Sequence, residues 1–532
     1  MVENIKVAIE PGGKHIFVEP GTFLLDALLK SGSPMQTACG GRGTCGKCRV
    51  RVRGDTGFPD EKERHHLTAA DLSKGFRLSC CRLLYSDVKV ELPDGEGCLP
   101  DGCRDKAGFV VRPFFSKLAV AIDIGTTTIK MEIINLPERE SLASHSALNP
   151  QRVFGHDVMS RIHAARHPES SGQMTGALRN TVTQMILQSL AKIDAQPRDV
   201  VRIVISANTV MLHFFFGMDV RGLGKYPYTP ESLGATIGWA VQYGLDDFGK
   251  TPVLGFPAIS AYLGGDLVSG LLSTGVHWST RNTILIDIGT NSEIILATPN
   301  GLLATSCAAG PALEGMNIEY GMTASSGAIS GFEILDEIRL NVMGGVSEPS
   351  GLCGSGIVEL TAELLRTRVV DRTGKMEMPV NSLLPSDILE RLRIHRETLA
   401  FFLTESVCFT QKDVRQVQLA KAAILAGQKI LREKAGLSLD EIESVVIAGE
   451  FGRHLNPEHL IRLGMMEPLS HAVFSFVGNS SLKGAEIIAF NPEQMEEARK
   501  IASRVEAFPL AMLDRYEQLF IESLEFPDMG TQ

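Results

Sequence analysis
Cys39-Gly-Gly-Arg-Gly-Thr-Cys45-Gly-Lys-Cys48 sets three thiols at gaps of five and two residues, in a loop with four glycines. Thiolates that share one metal centre must converge within bonding distance of it. Glycines let the backbone wrap such a centre while its N–H groups point at sulfur. A fourth ligand is needed, and Arg77-Leu-Ser-Cys80-Cys81 supplies one. A zinc site or free thiols are the alternatives. A second chemistry is written in Leu118-Ala-Val-Ala-Ile-Asp-Ile-Gly-Thr-Thr-Thr-Ile-Lys130, where an apolar run meets Asp123, Gly125, Thr126, Thr127 and Thr128. N–H donors beside a glycine form a nest for phosphate, and Asp123 would hold an accompanying Mg2+. An ordinary hairpin is the plain alternative.

The turn has a second copy. Thr283-Ile-Leu-Ile-Asp-Ile-Gly-Thr-Asn-Ser-Glu repeats the strand, then Asp287, Gly289, Thr290 and Asn291, then a returning strand. Two such turns in one chain suggest a duplicated domain clasping a nucleotide between its halves. Val445-Val-Ile-Ala-Gly-Glu-Phe-Gly-Arg453 adds a third glycine-bearing loop, with Gly449 and Gly452.

The elements that must position these groups follow from pattern. Ile5 to Ile9 and His15 to Val18 read as a hairpin around Pro11-Gly-Gly, and Thr22 to Lys30 as a short helix with Leu24, Leu25, Leu28 and Leu29 inward. Asp87 to Leu92 reads as a strand. Glycines and prolines from Asp94 to Lys117 mark a linker, where Cys98 and Cys103 are too few for a closed metal site. Gly172 to Asp194 and Val414 to Glu433 read as amphipathic helices, the second with Gln416, Lys421 and Lys429 on its wetter face. His213, beside Phe214 to Phe216, reads as a core histidine. Gly264-Gly-Asp266 opens an apolar helix, so Asp266 reads as a candidate N-cap. The domain boundaries expected are 1–94, a linker over 95–117, and 118–532, the last with halves at about 118–272 and 283–505.

At 532 residues and a net charge of −10, the chain is large and acidic, which argues against nucleic acid as a partner. Up to Gly95, seven Lys and seven Arg face twelve acidic residues, so the acidity lies in the rest of the chain. No apolar run approaches a membrane span and no signal peptide is evident, so a cytoplasmic location is expected. Ten cysteines in a reducing compartment point to metal rather than disulfides.

The three loops resemble, in order, the first phosphate loop, second phosphate loop and adenosine loop of the actin, hexokinase and chaperone ATPase superfamily. The matching stretches are Asp123 to Lys130, Asp287 to Glu293 and Ala448 to Gly452. That resemblance implies a duplicated ribonuclease H-like fold binding ATP and Mg2+. It also puts Asp266 where related sugar kinases place a base. The cysteine spacing resembles the 2Fe-2S ferredoxins, nearer the adrenodoxin-like branch. It implies a β-grasp fold with Cys39, Cys45, Cys48 and Cys80 as ligands. Cys80 is preferred to Cys81 because neighbours on a strand point to opposite faces.

The pairing and order of these parts resemble the reductive activators of corrinoid-dependent methyltransferases. Asn149-Pro-Gln, Ala309-Gly-Pro-Ala-Leu-Glu-Gly and Asp413-Val-Arg-Gln-Val-Gln-Leu-Ala-Lys carry the likeness further along the chain. The family implies an α/β multidomain protein that uses ATP to reduce cob(II)amide to cob(I)amide on a corrinoid protein. A low-potential donor (ferredoxin, flavodoxin or a reductase) would supply the electrons, and a homodimer is left open. Some members carry a middle domain between linker and ATPase, and here the first phosphate loop begins too early to allow one. The rival readings are a small-molecule kinase with a redox-sensing ferredoxin domain, a radical-dehydratase activator, and a non-catalytic scaffold.

Overall fold
The computed structural model describes residues 5–10, 13–31, 46, 48–54, 57, 59–92, 117–335, 337–378, 386–449, 455–469 and 471–528. Cys39, Cys45, Gly452 and the linker up to residue 116 lie outside the described residues. The N-terminal unit is a mixed sheet built from β1 (Ile5–Glu10), β2 (Lys14–Val18), β3 (Arg49–Arg53), β4 (Phe76–Leu78) and β5 (Val88–Glu91), in the order β2-β1-β5-β3-β4. Strands β1 and β5 run parallel, and the other pairings are antiparallel. Alternation in β1 buries Ile5, Val7 and Ile9 on one face, where α1 (Leu24–Lys30) contributes Leu24, Leu25 and Leu28. This is the expected β-grasp arrangement.

Two six-stranded sheets follow. The first is made from β6 (Leu118–Ile124), β7 (Thr128–Asn135), β8 (Glu140–Leu148), β9 (Val200–Ala207), β10 (Thr236–Trp239) and β11 (Pro252–Gly255), ordered β8-β7-β6-β9-β11-β10. The second uses β12 (Thr283–Asp287), β13 (Ser292–Thr298), β14 (Gly301–Cys307), β15 (Ser444–Ala448), β16 (Val473–Gly478) and β17 (Val505–Ala507), ordered β16-β15-β12-β13-β14-β17. In both, an antiparallel meander of three strands is extended by two parallel ones on the side of its first strand. The repeated Asp-Ile-Gly-Thr turns therefore mark a duplicated fold, each at the end of the central strand of its sheet.

Helix α2 (Pro168–Lys192) buries Met174, Leu178, Val182, Met185 and Ile186 against the first sheet, at helical spacing. Helices α3 (Gly265–Thr274), α4 (Gln411–Ala435) and α5 (Ser480–Phe490) belong to this two-sheet region as well. A single apolar cluster joins the halves: Ala119, Val204, Leu267 and Leu271 from the first meet Leu285, Ile295, Leu482 and Ile488 from the second. α3 and α5 pack so closely that a Cβ on Gly484 would stand 2.2 Å from the Ser269 carbonyl oxygen.

Lys421 departs from expectation. It is fully buried rather than on a wet face, because the last described residues lie across α4. Its ammonium donates to the Glu525 carbonyl and sits 5.0 Å from the Phe526 ring centroid, while Gln418 Nε2 donates to Leu524 O at 2.9 Å. Burial, then the charge of Lys429, lowers the Lys421 pKa to about 7. Periodicity within one helix carries no record of a segment a hundred residues away.

Gly484→Ala would wedge a methyl group between α3 and α5. A loss of ~1–3 kcal/mol is expected, typical of overpacking, and denaturant unfolding of the full chain measures it. An unchanged midpoint would show that the helices can separate at no cost.

Candidate functional site
The first loop is a tight turn. Gly125 N–H donates to Thr128 O at 2.9 Å, and a Cβ on Gly125 would stand 2.7 Å from that oxygen, so glycine is required. Three elements brace it from behind: Asn149 Nδ2 donates to Gly125 O at 2.8 Å, fully buried Arg161 donates to Thr126 O at 2.6 Å, and Asn208 Nδ2 reaches Thr126 Oγ1 at 3.2 Å. Thr127 O accepts the Asn149 N–H at 2.8 Å. Asp123 is the next-to-last residue of β6 and faces Lys130 across the hairpin register.

In the second loop Gly289 N–H points at Ser292 Oγ (3.3 Å), and Glu314 Oε1 accepts from both the N–H (2.7 Å) and the hydroxyl (2.8 Å) of Thr290. The small-residue loop from Ala309 to Gly315 thus carries a carboxylate to the second turn. Asn291 is half-buried there. Gly449 has φ +102, and a Cβ on it would lie 2.6 Å from Ile288 O. Its N–H donates to Gly478 O at 3.0 Å and Ile288 N–H donates to Ala448 O at 3.2 Å, so the third loop is tied to β16 on one side and to the second loop on the other.

Asp123, Asp266 and Asp287 lie close enough to act on one another's charge, and Glu293 joins them. Asp266 is not the N-cap of α3; Gly264 is, and Asp266 sits in the first turn with Oδ1 accepting from Leu267 N–H at 2.8 Å. Burial, then the charge of Asp123, pushes the Asp266 carboxyl up to about 7. The same two causes take Asp287 to about 7. Glu293, opposite Asp287 in the hairpin, is raised well above the ordinary range by burial and then by Asp266 and Asp287. Its signal in the sequence was its register partnership with Asp287. Carboxylates crowded in this way favour a proton or a cation among them.

The contribution of Asn479, Ser480 and Ser481 was missed. Asn479 Nδ2 donates to Asp123 Oδ2 (2.7 Å), Ser481 Oγ to Asp123 Oδ1 (2.8 Å), and Ser480 Oγ to Asp287 Oδ2 (3.4 Å). Gly478-Asn-Ser-Ser after an apolar strand is a helix-start pattern, and that was the available sign.

In the N-terminal unit Cys48 Sγ and Cys80 Sγ lie 3.1 Å apart, both buried, while Cys81 Sγ is 3.8 Å from Cys80 Sγ and half-exposed. Ser79–Cys81 is a 3-10 turn, not a strand, so Cys80 and Cys81 are not set on opposite faces by a pleat. Contact with the Cys48 sulfur, then burial, pushes the Cys80 thiol far up. Two inward thiols this close fit a thiolate-bound metal, whose positive charge would reverse that effect. Glu63, fully buried, accepts from Leu78 N–H at 2.9 Å and pairs with Arg82 at 2.8 Å, bracing both ends of the turn. His213 is a core residue, its Nδ1 2.7 Å from Thr209 O. Cys307 and Cys353 are buried packing residues.

A family model described as the 2Fe-2S iron-sulfur cluster binding domain matches residues 7–84, one described as the RACo middle region matches 118–279, and one described as the C-terminal domain of RACo, the ASKHA domain, matches 281–532. The corrinoid activation enzyme RamQ of Eubacterium limosum is 29% identical over 420 residues, 77% of this chain and 70% of its own. A [Co(II) methylated amine-specific corrinoid protein] reductase of Methanosarcina barkeri is 23% identical over 429 residues, 74% of each chain. The solved structure of a reductive activator for corrinoid,iron-sulfur protein matches with a TM-score of 0.72 at 27% identity, over 99% of both chains. These matches correct one expectation. The middle region is not missing; it is the stretch that the repeat identifies as the first half of the duplicated fold.

Asp266 and Asp287 bind protons in the folded chain up to about pH 7, whereas the unfolded carboxyls release them near 4. The folded state therefore holds more protons in that window, and stability falls as pH rises through it. Thermal melts of the nucleotide-free protein at pH 5 and pH 7 should show the loss, and Asp287→Asn should flatten it. A wild-type melting temperature equal at both values would contradict the arrangement of charges.

Proposed function
The chain belongs to the reductive activators of corrinoid proteins, and from that premise we propose how its parts divide the work. It reactivates a corrinoid protein by reduction, and the small-molecule kinase reading is set aside. The observation that carries the division is the presence in one chain of two separate sites, a buried thiol pair and a duplicated pair of loop aspartates.

Cys39, Cys45, Cys48 and Cys80 would hold the cluster. A 2Fe-2S cluster supplies one-electron transfer, in plant-type ferredoxins at about −400 mV. The chain's own residues shape its seat: the Glu63–Arg82 pair fixes the turn that presents Cys80, and burial keeps water from the Cys48 side. The electron donor is a low-potential ferredoxin, flavodoxin or reductase, and a reducing cytoplasm would keep the cluster ligands out of disulfides. The arrangement allows a homodimer without requiring one.

ATP with Mg2+ would occupy the cleft. Thr126, Thr127 and Thr128 with Gly125, and Gly289, Thr290 and Asn291, cradle the phosphates from the two sides. Asp123 and Asp287 would hold the metal, Lys130 would offset phosphate charge, and Gly449 with Gly452 would let the backbone approach the adenosine. Asp266, held close to neutral pH by its surroundings, orients the attacking water and takes its proton. Uphill one-electron transfer costs roughly a factor of ten in equilibrium constant per 59 mV. Closing the halves from 1:99 to 99:1 takes about 5.5 kcal/mol, within reach of nucleotide binding.

Anaerobically purified protein, mixed with a corrinoid protein and reductant, should give cob(I)amide absorption only when ATP is present. Equal reduction without ATP, or a protein free of iron and sulfide, would overturn the reading. Cys45→Ser should abolish electron transfer while ATP binding persists, and Asp287→Ala should abolish hydrolysis while the red-brown cluster absorption persists. Joint loss of both activities in either variant would count against separable sites.

A further inference from the structure
Three consecutive residues at the junction of β16 and α5 donate hydrogen bonds to the two duplicated aspartates. Asn479 and Ser481 occupy both oxygens of Asp123, in the first half, and Ser480 reaches Asp287, in the second. The contacts are built rather than incidental. Ser481 is buried, and its hydroxyl lies 2.9 Å from that of Ser206 on β9, the neighbour of β6. The backbone beneath is tied to α3: Ser269 Oγ donates to Ser481 O at 2.6 Å and Ser273 Oγ to Ser480 O at 2.8 Å. Asn479 does two jobs at once, since its Oδ1 caps α5 by accepting from Leu482 N–H at 2.7 Å while its amide nitrogen holds Asp123.

We propose that Asn479, Ser480 and Ser481 are positioning residues, which set where the two loop aspartates stand relative to one another. This rests on the reading of the cleft as the ATP site. Asp123 would carry its charge on oxygens already oriented by two fixed donors, so a divalent ion and its phosphates would meet preorganised ligands rather than rotating ones. Because the donors sit on one rigid helix start, a displacement of α5 moves the support of both carboxylates together. The second half thereby senses and adjusts a residue of the first.

The groups facing Asp123 are Asp266 from α3, Asp287 from β12 and Lys130 from β7, and Glu293 from β13 stands beside Asp266 and Asp287. From α5, Lys483 and Glu486 pair with each other at 2.7 Å. Asn479→Asp isolates the inference, since aspartate keeps the helix cap but replaces the amide donor with a second carboxyl against Asp123. Two carboxylates at that distance repel, which turns Asp123 away from the position its donors give it.

The test is ATP hydrolysis by the cluster-loaded full chain with its corrinoid partner, alongside calorimetric binding of a non-hydrolysable ATP analogue with Mg2+. The expected result for Asn479→Asp is a fall in kcat of about tenfold or more, with a smaller change in analogue affinity. Ser481→Ala, which removes one donor without adding charge, should lower kcat more than it raises KM. A kcat for Asn479→Asp that matches wild type, or a loss of binding and turnover that is equal, would overturn the proposal alone. A wild-type chain that neither binds the analogue nor hydrolyses ATP would instead overturn the reading of the cleft, and the proposal with it.

Discussion
Like charges held close together in a poorly hydrated place repel strongly, and a fold that gathers them must be compensated elsewhere. Asp123, Asp266, Asp287 and Glu293 are gathered in this way at the meeting of the two sheets. The compensation is visible in the surroundings. Hydroxyl and amide donors reach Asp123 and Asp287 from the start of α5, and a backbone N–H reaches Asp266. The apolar cluster linking the halves supplies stabilisation that offsets the repulsion. A cation placed among them would relieve the same repulsion, so the cost of gathering these charges would return as affinity for it.

The N-terminal unit follows different physics. Its apolar core is small, and the Glu63–Arg82 pair buried beneath the cysteine turn is worth more as a geometric constraint than as net stability. Its charges do not face the carboxylate cleft in any described contact. The two sites can therefore be tuned independently, as suits a protein whose electron carrier and energy source are chemically unrelated.

Local features were legible before the fold was known. The two Asp-Ile-Gly-Thr turns, the strands on either side and the hairpin of β1 and β2 are short-range patterns of alternation and glycine placement. What escaped reading depended on distance along the chain. Asn479 and Asp123 are 356 residues apart, and no periodicity within either segment announces the other. Lys421 looked solvated because α4 viewed alone has a polar side. Cys80 and Cys81 were read as strand residues, since β4 ends at Leu78 and a 3-10 turn of three residues leaves little trace in composition. Glu293 was in view as part of the second loop, but only strand register shows that it opposes Asp287.

The cover over Lys421 also bears on the order of events during synthesis. α4 is central to the largest apolar cluster, yet its buried ammonium has the Glu525 carbonyl as acceptor and the Phe526 ring as neighbour. Both emerge from the ribosome about a hundred residues after the lysine does. Until then the helix must either leave that cation in water or bury it without those partners, so the second half cannot settle fully while translation is under way. The first half waits as well, since Ala119, Val204 and Leu267 pack against Leu482 and Ile488, and Asp123 takes its donors from Asn479 and Ser481.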